Sequence, residues 1–343
     1  MRRLGLLILI IAILTVPVCA ASFTAPEISN PYMPAEVDNF SDGLWFVVKN
    51  AIFDLAPEVR DAGEICLSIV AVAMLISLVT SAFAFNKQVA VTVGIMCVAI
   101  LLFRSSNTFI QTGVATVKEL SEYGKLLLPV MTAALAATGG ATTSAALYTG
   151  TAVFNYILTT VLTKFAVPLM YIYLCTSISY AIAKEELLGS IKKFINWLIQ
   201  WGLKIIIYIF TAYLGITGVI SGTVDASALK ATKLAISGFV PVVGGVISDA
   251  SETILISAGL MKNAAGLYGG LAIIAMWIGP FLQIGTQYLL LKITGFICGA
   301  LQSKEIADIV ADFTTALGFV LGMIVTICVL LLISTVCFMK GVA

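Results

Sequence analysis

The sequence predicts an all-α polytopic membrane bundle, and three observations carry that expectation. First, 60% of the residues are hydrophobic and only 11% are charged. Second, the mean hydropathy is +1.07. A soluble domain carries roughly 25% charged residues, so a water-soluble fold would lack the charges to cover this much apolar surface, and lipid removes the difficulty. Third, apolar stretches of bilayer length recur along the chain between short polar segments. About eight spans, within a range of roughly six to ten, are expected after an export signal. Interfacial amphipathic helices and a re-entrant segment complete the expected architecture.

Met1-Arg2-Arg3 is a basic start, and Leu4 to Val16 is an apolar run too short to cross a bilayer comfortably. Val18-Cys19-Ala20 is a small-residue cleavage pattern, so residues 1–20 read as a signal peptide. Residues 21–64 hold eight acids and two bases, a balance that fits export. Within them Leu44, Val48, Ile52, Leu55 and Val59 form a helical stripe for the membrane surface or a partner. Residues 65–343 form the polytopic domain.

Cys66–Phe85 is long enough for one span, and Val89–Phe103 is a short second one. Residues 105–125 are polar. Leu126 to Ala183 carries a single charge, Lys164, and three tightly turned spans are expected there. Lys184–Lys204 holds Lys184, Lys192, Lys193 and Lys204 against Glu185 and Glu186. It reads as a cytoplasmic amphipathic elbow, with Trp197 and Trp201 at headgroup level, passing into a span at about 198–220. Further spans are expected at about 264–291 and 314–338, with Ser303–Phe313 as a surface helix between them. An even number of spans after an exported start also exports the C-terminus.

The chemistry-bearing residues are few. The chain has no His, which excludes imidazole acid–base catalysis and the common zinc sites. Seven Cys lie in the export signal or in and beside apolar stretches with no C-x-x-C, and they read as small hydrophobes. No phosphate-cradling glycine motif occurs, and the net charge of +1 gives no attraction to nucleic acid. No catalytic residue, cofactor or metal is expected. Pro241, Gly244 and Gly245 interrupt an apolar piece and mark a candidate re-entrant turn. Asp249 and Glu252, three apart, share a helix face. They either cap a helix at a wet end or line a polar path through the membrane. Lys164 either marks a wet turn or pairs with a carboxylate inside the bundle. G-x-x-x-G spacings at Gly218/Gly222, Gly266/Gly270, Gly295/Gly299 and Gly318/Gly322 permit close helix packing, within the chain or between copies.

The stretch Gly238-Phe239-Val240-Pro241-Val242-Val243-Gly244-Gly245-Val246-Ile247-Ser248-Asp249-Ala250-Ser251-Glu252-Thr253, continuing through Ser257 to Asn263, resembles the stage III sporulation protein AE family of endospore-forming bacteria. The export signal, acidic exported segment and polytopic remainder agree with it. The resemblance implies a non-enzymatic component of the channel or secretion-like complex between mother cell and forespore, in the mother-cell membrane around the engulfed forespore. It implies a cytoplasmic ATPase and intermembrane ring proteins as partners, and offers no catalytic residues. A stand-alone small-molecule permease and a pore-less membrane scaffold are the competing readings, and self-association is open.

Overall fold

The structure is a computed structural model. It describes residues 32–33, 40–82, 87–239, 244–301 and 303–340, with the side chains of 82, 87, 215–264 and 340 outside the description. The signal peptide lies outside the described residues. The chain runs through α1 (Phe40–Phe53), α2 (Ala56–Ala82), α3 (Lys87–Ala137), α4 (Ala141–Val161), a π turn (Leu162–Ala166), α5 (Val167–Ala183), α6 (Glu186–Phe239), α7 (Gly244–Ala300) and α8 (Lys304–Lys340). No strand occurs among the described residues. Among the described residues six helical stretches are long and apolar enough to cross a membrane, the lower end of the expected range.

The shortfall from eight spans has one cause: polar segments that read as exits from the membrane continue as helix. Val89–Phe103, the polar run 105–125 and the start of the next apolar stretch are one 51-residue helix, α3. The three spans expected between 126 and 183 reduce to the end of α3 and the α4–α5 pair. The elbow at 184–204 continues without a break as the 54-residue α6. Ser303–Phe313 is the first part of α8, not a separate surface helix. Its Ile306, Val310 and Phe313 are buried in the bundle.

The connections follow from local chemistry. α3 ends in a Schellman turn: Gly140 N–H donates to Leu135 O at 3.2 Å and Gly139 N–H to Ala136 O at 3.0 Å. Gly139 supplies the positive φ of 94° that this turn requires. At the π turn, Val167 N–H reaches back five residues to Leu162 O. Pro168 follows and has no N–H for the Lys164 carbonyl, so the ordinary helical ladder cannot close there. α5 ends at Lys184, which adopts φ 55° and donates its N–H to Tyr180 O at 2.9 Å.

α8 is the centre of the bundle. α7, α3, α6, α5 and α4 pack on it, while α2 packs on α7 and α3, and α1 on α7. The side of α1 that packs is Gly43, Val47 and Ala51, set against Ile274, Ala275 and Ile278. Ile52 of the expected stripe is exposed instead. Glycines permit the closest approaches. Gly295 meets Val310, Gly318 meets Tyr288, and Gly322 meets Leu203, while Gly266 meets Met339 and Gly270 meets Phe40. Each of these described G-x-x-x-G pairs therefore serves packing within the chain. Gly218 and Gly222 have side-chain surroundings outside the description.

These contacts fix the register and reveal a polar belt at mid-height. Gly113 of α3 faces Val320, and Asn155–Ser121 and Tyr171–Asn107 hydrogen bonds bracket the π turn at the same level. Gly322 places Leu203 of α6 there, Gly318 places Tyr288 of α7, and Gln283 donates to Glu58 of α2 at 2.9 Å. Near this level the exposed polar side chains include Asp61 and Glu64, Gln111, Lys164, Lys204 and Lys292, interleaved with exposed Phe165, Ile205 and Leu289. Apolar zones lie on both sides of the belt. One exposes Leu75, Leu78, Ile100 and Phe296, the other Val153, Tyr156, Tyr208 and Ile209.

Candidate functional site

Sequence reasoning singled out two places. Pro241 lies outside the described residues, and so do the side chains of Gly244, Gly245, Asp249 and Glu252. The backbone of α7 is helical from Gly244 onward, and the geometry of the expected re-entrant turn at 241–245 is outside the description. Lys164 sits in the π turn and is exposed. None of the ion pairs among the described residues includes it.

The structure adds a polar cluster that the sequence did not reveal. Lys192 of α6 donates to both carboxylate oxygens of Asp312 on α8, at 3.0 Å and 2.9 Å. Their side chains are only 19% and 14% exposed. Tyr173 of α5 donates its hydroxyl to Asp312 Oδ1 at 3.2 Å, and the Lys192 ammonium stands 5.0 Å over the Tyr180 ring. One carboxylate thus ties three helices, and the charge-assisted bonds offset the desolvation of a half-sequestered pair. Two turns toward the α5–α6 connection, Lys184 bonds Glu305 at 3.1 Å in a more exposed setting. The signal was present in the sequence: Glu305 and Asp312 are seven apart, hence on one face of α8. Their partners on another helix were not legible.

A second polar line runs through the other half of the interior. Asn155 donates to Ser121 O at 3.1 Å, Thr151 to Ser334 Oγ at 3.4 Å, and the Tyr123 hydroxyl to Gly269 O at 3.4 Å. Gln287 is fully buried, and neither atom of its amide finds a hydrogen-bond partner among the described residues. Interhelical bonds of this kind specify register in a medium where apolar contacts alone discriminate poorly. Among the described residues no three His, Cys, Asp or Glu converge to hold a metal ion.

A family model described as stage III sporulation protein AE matches residues 36–341, which is nearly the whole of the bundle from just before α1 to the end of α8. The chain belongs to the stage III sporulation protein AE family. A curated relative, stage III sporulation protein AE of Bacillus subtilis (strain 168), is 21% identical over 214 residues. That alignment covers 62% of this chain and 53% of the relative, so the chain spans about half the length of the curated relative it matches. No solved structure matches. In the terms of this family, Lys192, Asp312 and Tyr173 are interior ties of a sporulation protein's helical bundle, and the matched region includes Asp249 and Glu252.

Proposed function

We propose that this chain is a non-enzymatic integral membrane component of the channel or secretion-like complex between mother cell and forespore, required after engulfment and seated in the mother-cell membrane around the forespore. The observation that carries the reading is the family match over residues 36–341. Six bilayer-length helical stretches among the described residues, and their close, glycine-mediated packing, support it. The absence of His from the sequence is in keeping with a role other than catalysis. In this reading its partners are the other proteins of the complex, a cytoplasmic ATPase and intermembrane ring proteins. The α1 segment and the end of α8 lie outside the cytoplasm, and the α5–α6 connection at Lys184 lies inside.

The test is genetic and biochemical. Deletion should arrest development after engulfment while vegetative growth is unaffected. A vegetative defect overturns the assignment. Purified chain in liposomes should transport no small molecule without its partners, and transport by the chain alone would establish the permease reading instead. Asp249→Asn with Glu252→Gln removes two charges and keeps the shape. If these acids line a polar path, spore yield should fall sharply at normal protein level. If they only cap a helix, the change should cost about 1 kcal/mol or less and leave yield near normal.

A further inference from the structure

From Arg104 to Lys125 the exposed side of α3 is a single polar face. Its first half exposes Arg104, Asn107, Thr108 and Gln111, and its second half Lys118, Glu122 and Lys125. Between the halves only Ala115 is exposed. Steps of three and four residues keep these positions in line along the helix. The opposite side, with Ile110, Val117 and Leu120, is buried in the bundle. No large hydrophobic side chain of this segment is exposed, whereas Ile100 and Phe103 just before it and Leu126 just after it are. Other exposed charges near mid-height, such as Lys164, Lys204 and Lys292, are interleaved with exposed Phe165, Ile205 and Leu289. The α3 face is therefore polar along the bundle, not only at one level of it.

Register places this face at membrane depth. Gly113 faces Val320 and Gly124 faces Leu331, so the segment runs level with about residues 311–331 of α8. α8 has 37 residues and is about 55 Å long at ~1.5 Å per residue. A hydrocarbon layer of about 30 Å spans roughly 20 of them. Laid anywhere across α8, such a layer takes in the first half of the α3 face or the second. Charges there need water or a counter-charge. None of the ion pairs among the described residues includes Arg104, Lys118, Glu122 or Lys125. Tyr171 of α5 continues the face sideways, donating to Asn107 Oδ1 at 2.7 Å and accepting from Gln111 Nε2 at 3.3 Å.

We propose that the Arg104–Lys125 face of α3 is the wall of a water-filled path through the membrane, open to hydrophilic solutes. The proposal deepens the channel role given above and rests on it. Lipid is a poor cover for a face with four unpaired charges. A docked protein is a poor cover too, because the cores of protein interfaces are rich in aromatic side chains and depleted of charge, and this face has the reverse composition. Water satisfies every group on it without a partner of matched charge. The proposal needs no particular height for the bilayer, since every height wets one half of the face at membrane depth.

The experiment is single-cysteine labelling with a charged, membrane-impermeant thiol reagent on permeabilised membranes from sporulating cells, in a background lacking native Cys. Thr108→Cys and Gln111→Cys report on the first half, Lys118→Cys and Glu122→Cys on the second. Leu67→Cys on α2 and Ile209→Cys on α6 are the apolar controls, both exposed in the bundle. Leu67 lies between the Glu58–Gln283 bond and the Ile76–Gly94 contact, and Ile209 between the Leu203–Gly322 contact and the Tyr213–Ala146 bond. A bilayer at any height therefore covers at least one control. Each rate is divided by the rate of the same variant unfolded in detergent, so a folding defect does not imitate protection. All four α3 positions should label at least about tenfold faster than the slower control, because hydrocarbon excludes a charged reagent. Protection of either half of the face to the level of the slower control overturns the proposal, as lipid or protein then covers it. Equal, fast labelling at all six positions also overturns it, since the α3 face is then no special path. Labelling is read on the chain itself, so a protected face in a strain whose deletion still arrests after engulfment removes the wall and leaves the channel role standing.

Discussion

α8 and α2 are both strongly apolar helices of bilayer length, yet 61% of the apolar stretch of α8 is buried inside the bundle and only 22% of that of α2. α8 has Phe313, Leu317, Val320, Ile324 and Ile327 at 0% exposure, contacts all round, and buried Thr314, Thr326, Ser334 and Thr335 whose hydroxyls bond the preceding turn. α2 has one packed side, Cys66, Ile69 and Ala73, and a bare side of Leu67, Leu75 and Leu78. In lipid, hydrophobicity does not say which side meets protein, because the solvent is as apolar as the core. Where the hydroxylated residues lie is the better guide: Thr314, Thr326, Ser334 and Thr335 of α8 are buried, whereas Ser68 and Ser81 of α2 are exposed.

The largest expected effect separates these two helices directly. Phe313→Ala should lower stability by about 3–5 kcal/mol through the cavity it leaves, measured by unfolding in mixed micelles. Leu75→Ala, on the bare side of α2, should cost less than about 1 kcal/mol, since lipid fills the space. Equal losses at the two positions would remove α8 from the centre of the bundle.

Next comes the tie that holds α5 and α6 to α8. Asp312→Asn leaves the Lys192 ammonium half-buried without its carboxylate, and should destabilise by about 2 kcal/mol or more. Glu305→Gln breaks the more exposed pair and should cost about 0.5 kcal/mol or less. A double-mutant cycle of Lys192 with Asp312 should show coupling, and one of Lys184 with Glu305 very little. Additive losses at Lys192 and Asp312 would show that the pair does not act as a unit.

The smallest effect differs in sign. Gly150 faces the Tyr213 ring so closely that an added methyl group forces the ring to move, whereas nothing lies near Gly202. Gly150→Ala should therefore destabilise by about 1–3 kcal/mol, and Gly202→Ala should stabilise by about 0.5–1 kcal/mol. Thermal unfolding of the two variants beside the parent chain measures both, and a gain at Gly150 would contradict the α4–α6 packing.

The all-helical membrane character was legible in composition alone, because so few charges rule out a water-facing fold. Helix existence was also legible, but helix continuity was not. The polar run 105–125 and the lysines at 192–204 read as exits from the membrane, since a single bilayer leaves no place for polarity in mid-span. In the bundle Gln111 of that run and Lys204 lie near the level of the π turn, which needs knowledge of how the helices register against one another. The partnership of Lys192 with Asp312 was hidden for the same reason: each residue is ordinary on its own helix, and the partner is far away in sequence. The Asp249 and Glu252 side chains, legible as a pair on one helix face, lie outside the described residues, and the Asp249→Asn, Glu252→Gln variant separates cap from path.

The central claim is that a polar belt at mid-height divides the bundle, so that its long helices are not buried in lipid along their length. Lys164→Cys tests it most directly, in a background lacking native Cys, with a membrane-impermeant thiol reagent applied to permeabilised membranes and Lys184→Cys as the control at the end of the bundle. The account predicts that position 164 labels as readily as position 184. Strong labelling at 184 with none at 164 would place the π turn inside the hydrocarbon core and contradict the account.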